Sequence, residues 1–277
     1  MKNFTSVVLG MILISSGCKT NKTVSGTPGT YNFGFADTGK QKNFLGVNAG
    51  TGYDQIKGFG FEHALLNGAA IVDGPGFITS NKPFFFSVKL PEGNYHVTIK
   101  LGDDAGSSDA VIRAECRRMM VNRIQTKNGE IKTVAFTIHI RDSLIRATNS
   151  KVRIKPREND YLHWDEKLTL EFNGNEPKIR SIQITPAPAN VITMFLAGNS
   201  TVVDQAREPY AAWGQMIPAA FEPGKVAVAN YAESGESLSS FIAAKRFEKM
   251  LSLMKPGDYA FAEFGHNDQK QKGEGIG

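Results

Sequence analysis

Cysteine is scarce: Cys18 and Cys116 are the only two in 277 residues. That excludes a disulfide framework and any cysteine-rich zinc site. No apolar run is long enough to span a bilayer. A strong excess of one charge is also missing, since 32 Lys and Arg face 27 Asp and Glu, a net of +5. Basic residues are interleaved with acidic ones, and Arg117-Arg118 is an isolated pair. Nucleic-acid binders concentrate positive charge in a stripe, so nucleic acid is not expected as a partner. Hydrophobic residues make up 41% and charged residues only 21%. The bulk of the chain is therefore globular. Histidine is sparse as well: His63, His96, His139, His163 and His266 are all there are.

The N-terminus reads as an address. Lys2 supplies a positive start and Phe4 to Ile14 an apolar stretch that suits a secretory signal. The segment ends in Ser15-Ser16-Gly17-Cys18, which resembles the bacterial lipoprotein cleavage box, with Ser15 where Leu is usual. The resemblance implies a signal peptide over residues 1–18 and lipidation of Cys18. The next stretch, residues 19–30, is rich in Gly, Ser and Thr and reads as a flexible linker. An exported lipoprotein is expected, periplasmic or at the cell surface, held to the membrane by acyl chains.

Two periodicities divide the rest. Over residues 31–186, short alternating strands such as Tyr95 to Leu101 and Leu168 to Phe172 are separated by turn residues. Lys127-Asn128-Gly129-Glu130 carries a tight-hairpin signal, and Asn173-Gly174 reads as a strand stop. The pattern predicts an antiparallel β-sandwich. Pro186-Ala187-Pro188-Ala189 forms a stiff link. Over residues 190–277 the pattern becomes strand, helix, strand, helix, strand. Val191 to Ala197, Val226 to Asn230 and Tyr259 to Phe264 read as buried parallel strands, with a helix opened by Pro209 and one amphipathic helix over Ser237 to Met254. This is the opening of a doubly wound α/β domain. Such domains commonly need roughly 150 residues, so the second unit reads as partial and its last strand as an apolar edge.

Three polar segments follow the three strands: Gly198-Asn199-Ser200-Thr201, Asn230 to Gly235, and Gly265-His266-Asn267-Asp268. In an open α/β sheet, segments at the carboxyl ends of strands converge on one crevice. Each is weak alone; their order and spacing are specific. From Val191 onward the sequence resembles the SGNH (GDSL-type) hydrolases, most closely the rhamnogalacturonan acetylesterase branch. That family has a Gly-Asp-Ser block, a glycine block and a Gly-x-Asn-Asp block at these positions. The resemblance implies a flavodoxin-like domain in which Ser200 is the nucleophile. It also implies an oxyanion hole from the N–H groups of Ser200 and Gly235 and the side-chain amide of Asn267. Fixed donors of that kind contribute about 3 kcal/mol each to acyl transfer. Asn199 replaces the usual aspartate at a position that is structural rather than chemical.

The family takes its base and orienting carboxylate from an Asp-x-x-His block late in the domain, and no histidine follows His266 here. The catalytic His and Asp are therefore not expected within these residues. Asp160-Tyr161-Leu162-His163 spells the motif, but it lies in the β-sandwich, ahead of the nucleophile, and reads as coincidence. His96 and His139 are expected to face solvent or pair locally. The sandwich resembles the galactose-binding-like, jelly-roll modules attached to polysaccharide-degrading enzymes. Tyr53, Phe59, Tyr161 or Trp164 would be candidates for stacking on sugars, though single aromatics are more often core. Asp103, Asp104 and Asp109 offer oxygens for calcium, with a solvated loop the blander reading. The resemblance implies a serine esterase that removes acetyl groups from an acetylated plant polysaccharide or oligosaccharide of the rhamnogalacturonan or pectin type. It needs no metal or organic cofactor and would be crippled without its base. The rival reading is a surface carbohydrate-binding lipoprotein whose esterase domain has degenerated.

Overall fold

In Gly93–Gly102 the side chains of Tyr95, Val97, Ile99 and Leu101 are buried, while Asn94, His96 and Thr98 between them are half-buried. A period of two puts alternate residues on opposite faces, so such a strand must lie on a core. The computed structural model describes residues 29–36, 42–68 and 70–270. Residues 1–28 lie outside it, and with them the signal segment and Cys18. Most strands between Tyr31 and Pro186 form two facing sheets, antiparallel as expected except where Tyr31–Phe35 runs parallel to Leu45–Val47. The first runs Ile131–Ile140, Gly93–Gly102, Ile179–Pro186, Tyr31–Phe35, Leu45–Val47. The second runs Phe59–Phe61, Phe84–Lys89, Lys167–Glu176, Ser108–Ala114, Arg118–Thr126. Their inner faces share one core rich in phenylalanine. Phe35 meets Phe86 edge-on at 5.5 Å and 87°, the geometry that ring quadrupoles favour.

Two turns differ from expectation. The chain does turn at Lys127–Glu130, where the Glu130 N–H donates to the Lys127 carbonyl at 3.1 Å. It joins strands of different sheets, however, because Arg118–Thr126 pairs with Ser108–Ala114 and Ile131–Ile140 with Gly93–Gly102. The turn is a crossover between layers and not a hairpin. Asn173-Gly174 does not stop its strand either, since Lys167–Glu176 continues through an irregularity there. Gly174 has φ +117°, and a Cβ on it would stand 2.2 Å from the Asp109 carbonyl, so only glycine fits this close approach.

After Pro186 the strand Ile192–Gly198 is the centre of a three-stranded parallel sheet, with Val226–Asn230 on one side and Tyr259–Glu263 on the other. Phe195, Ala229, Phe241 and Met250 pack on one face, and Leu196, Val202, Val203 and Val228 on the other. Three expectations need correcting. Pro209 does not open a helix; a short one begins at Trp213 and ends at Met216. The helix expected over Ser237 to Met254 is two, Leu238–Ala243 and Arg246–Leu253, broken where Lys245 takes a left-handed conformation at φ +61°. Tyr259–Glu263 is not buried: all five residues are exposed among the described residues, whereas Val226–Asn230, the other edge of the same sheet, is covered.

The break at Lys245 matters, because the second helix then presents cations inward. Arg246 and Lys249 are fully buried. The Arg246 Nη2 donates to Glu158 Oε2 at 2.5 Å and Nη1 to the Tyr231 carbonyl at 3.2 Å. Lys249 Nζ lies 2.6 Å from Glu92 and 3.1 Å from Asp142. Arg118 crosses the other way: its Nη2 meets Asp204 Oδ2 at 2.7 Å, and its Nη1 reaches the Val228 carbonyl at 3.2 Å. Sandwich and parallel sheet thus meet across buried, complementary charges. His139 belongs to this seam and does not face solvent; of the two alternatives expected for it, local pairing holds, with its cross-strand neighbour Asn94. It is buried, its Nδ1 donates to Asn94 Oδ1 at 2.7 Å, and burial with Arg118 and Arg141 nearby pushes its pKa down to about 3. Replacing one partner of a buried pair strands the other charge at a cost of about 3–5 kcal/mol. Arg118→Met is expected to lower unfolding stability by that amount in urea titration. A double-mutant cycle of Arg118→Met with Asp204→Asn should show a coupling of about 1 kcal/mol or more; strictly additive losses would contradict the pairing.

Candidate active site

The Ile192–Gly198 strand ends in a turn closed by Asn199. Its buried side-chain oxygen accepts from the Thr201 N–H at 3.1 Å. Its carbonyl accepts from the N–H groups of Val202 and Val203. Only the oxygen of the Asn199 amide is used in these bonds, an acceptor that a carboxylate supplies equally well. Ser200 stands half-exposed at this turn, and its carbonyl accepts from Gln205 Nε2 at 2.8 Å. None of the hydrogen bonds among the described residues engages its hydroxyl.

The segments after the other two strands are tied to this turn. Asn230 donates to the Val202 carbonyl at 2.8 Å and to Asp204 Oδ1 at 2.9 Å. The Glu233 N–H donates to the Gly198 carbonyl at 3.2 Å. Gly235 has φ +78°. Asn267 Nδ2 donates to the Glu236 carbonyl at 2.9 Å, which leaves its second N–H available. Asp268 accepts from the Gly265 and Leu238 N–H groups, both at 2.8 Å. Ser200, Gly235 and Asn267 therefore sit on three segments cross-linked at the carboxyl end of one sheet.

Several carboxylates complete the frame, and of these only Glu233 falls within one of the three polar segments marked in the sequence, with no role of its own there. Glu263, ending the third strand, accepts from the Thr201 hydroxyl and from Trp213 Nε1 at 2.7 Å. Buried Glu233 is held by Arg157; burial pushes its carboxyl pKa up, with the Glu158 charge adding to the rise. The sandwich reaches in here: Lys155 Nζ donates to the Ser234 carbonyl and meets Glu236 Oε1, both at 2.7 Å. In sequence, Glu233 and Glu236 look like ordinary loop residues. Only their position beside the strand-end glycine could have singled them out.

No hydrogen bond joins any of the five histidines to Ser200 among the described residues. His139 lies in the seam, and His163 is fully buried with both ring nitrogens unpartnered. His266 accepts from Lys270 Nζ at 3.0 Å. The sugar-stacking candidates are also accounted for. Phe59 is core. Trp164 packs in the seam, its Nε1 donating to Glu158 at 2.8 Å and the Arg141 guanidinium lying 4.7 Å over its ring. Tyr161 packs edge-on against His163, and Tyr53 lies beneath Lys167 Nζ at 4.8 Å. Asp103, Asp104 and Asp109 pair with Lys178, Arg180 and Arg123. Cys116 is buried, as a small apolar residue would be, and burial raises its thiol pKa.

Against known proteins, no family profile matches the chain. The esterase YxiM of Bacillus subtilis, itself uncharacterised, is 26% identical over 284 residues, 98% of this chain and 68% of YxiM. The rhamnogalacturonan acetylesterase RhgT of the same organism is 43% identical over 84 residues, 30% of this chain and 36% of RhgT. A rhamnogalacturonan acetylesterase of Emericella nidulans is 32% identical over 90 residues, 34% of its length. The chain is thus similar to esterases, rhamnogalacturonan acetylesterases among them. It spans about a third of the rhamnogalacturonan acetylesterases that it matches. The crystal structure of YxiM aligns with a TM-score of 0.41 at 24% identity, over 86% of this chain and 64% of that one.

A left-handed backbone costs a residue with a Cβ about 1–2 kcal/mol. Gly235→Ala is expected to lose that much stability although the added methyl has room, its closest neighbour being Lys155 Nζ at 3.7 Å. Equilibrium unfolding in urea checks this, and an unchanged midpoint would mean that position 235 does not need glycine.

Proposed function

We propose that this chain is the sandwich and the nucleophile-bearing part of an exported carbohydrate acetylesterase of the SGNH type. Its substrate is an acetylated polysaccharide of the rhamnogalacturonan class. The observation that carries the reading is the cross-linking of the three strand-end segments, through Glu233 to Gly198 and through Asn267 to Glu236. The three-stranded parallel sheet is read as the opening of a flavodoxin-like domain, and the sandwich as a galactose-binding-like module beside it. Lipidation at Cys18 would tether the protein to a membrane.

In this reading Ser200 attacks the acetyl carbonyl. The oxygen that becomes negative is met by the N–H groups of Ser200 and Gly235 and the free N–H of Asn267. The acetyl group passes to Ser200 as the sugar hydroxyl leaves, and water then releases acetate. The attack needs a base to take the Ser200 proton, and none of the described histidines is hydrogen-bonded to it. The alternative, a glycan-binding protein without catalysis, draws on that same observation.

The two readings part under chemical rescue. The 277-residue chain should release acetate slowly from acetylated rhamnogalacturonan, and added imidazole should raise the rate by roughly tenfold or more by supplying the base. Ser200→Ala should abolish both the slow rate and the rescue. Equal rates in the parent chain and Ser200→Ala, with or without imidazole, would overturn the esterase reading in favour of binding alone.

A further inference from the structure

A recess of about 280 Å³ lies on the outer face of the sandwich's second sheet, where it meets the loop that follows Ser200. Arg113, Glu171 and Asn173 line it from adjacent strands, and Pro83, Phe85 and Leu66 give it an apolar side. Glu171 is almost fully buried, and its Oε2 has no hydrogen-bond partner. Its Oε1 accepts from Asn173 Nδ2 at 2.9 Å. The Arg113 guanidinium stands 3.5 Å from Oε1, so the carboxylate is paired through one oxygen and has the other to spare for a hydroxyl that enters the recess. An apolar side opposite charged and amide groups matches a pyranose ring, which has C–H faces and hydroxyl edges.

The other end of the recess holds an arrangement that serves a carboxylate. Arg113 Nη1 and Arg117 Nη2 converge on one oxygen, Glu208 Oε1, each at 3.2 Å. The guanidinium groups are largely buried, whereas the Glu208 side chain is 67% exposed. Arginine forks bind carboxylates best through two parallel bonds, and here both share a single oxygen at the upper end of the hydrogen-bond range. Glu208 thus occupies the position of a carboxylate without using it fully. The recess is also linked to the nucleophile turn. Arg117 donates to the Gln205 carbonyl at 3.0 Å, and Gln205 holds the Ser200 carbonyl at 2.8 Å.

We propose that this recess binds a uronic-acid unit of a polysaccharide, whose carboxylate displaces Glu208 from Arg113 and Arg117 while a ring hydroxyl donates to Glu171. The proposal rests on the esterase reading for the ligand being a polysaccharide, and it adds a site on the sandwich away from the three strand-end segments.

Calorimetric titration of the full chain with tetragalacturonate, a neutral galactose tetramer and polyglutamate tests it directly. Tetragalacturonate should bind and the other two should not. Arg113→Gln should weaken binding at least tenfold, with its fold checked by circular dichroism. Glu208→Gln, an exposed change that does not threaten folding, should tighten binding severalfold by removing the internal competitor. Equal binding of the neutral tetramer or of polyglutamate, or no response to Glu208→Gln, would overturn the proposal. Absence of uronate binding with Ser200-dependent acetate release intact would remove this site alone. Binding without such release would keep the site and remove the esterase reading.

Discussion

Arg118 and Asp204 face each other with both side chains essentially removed from water. Neither charge could be left there alone, because an unpaired ion in a protein interior costs several kcal/mol. One comes from the sandwich, and the other lies four positions after Ser200. Asp204 also accepts from Asn230 at the end of the neighbouring strand. The pair therefore joins the two structural units and fixes the turn that carries the candidate nucleophile. Arg246 with Glu158, and Lys249 with Glu92 and Asp142, repeat the arrangement from the opposite side of the seam.

A seam built this way has a consequence for the crevice. Lys155 and Arg157 of the sandwich bind the main chain and the acidic side chains around Gly235. The segment that would supply an oxyanion donor is thus shaped by a unit that carries no catalytic motif of its own. Electrostatic preorganisation depends on donors that do not move as charge develops. Here charged groups of the seam as well as the parallel sheet hold the segment.

The strands and the three polar segments could be read from the sequence because their signals are local. Alternation in Gly93–Gly102, the apolar run of Ile192–Gly198 and the glycines after each strand all depend on near neighbours. What could not be read depends on distant ones. Arg246 and Lys249 look like the solvated face of an amphipathic helix until the break at Lys245 turns them inward. His139 looks like an outward residue of an alternating strand until the second unit covers it. Asn128-Gly129 marks a turn correctly, yet whether that turn makes a hairpin or a crossover depends on which strands pair across the sandwich. In the candidate site, Ser200, Gly235 and Asn267 stand out by motif, whereas Glu233 and Glu263 become meaningful only with their partners.

The central claim is that sandwich and parallel sheet form one cooperative structure through this buried seam. Hydrogen exchange followed by mass spectrometry across a urea series tests it without altering the protein. The slowest amides of Ile131–Ile140, in the sandwich, and of Ile192–Gly198, in the parallel sheet, are expected to open with the same free energy and the same urea dependence. If the Ile192–Gly198 amides exchanged through a separate opening of much lower free energy, the two units would be independent and the account would fail.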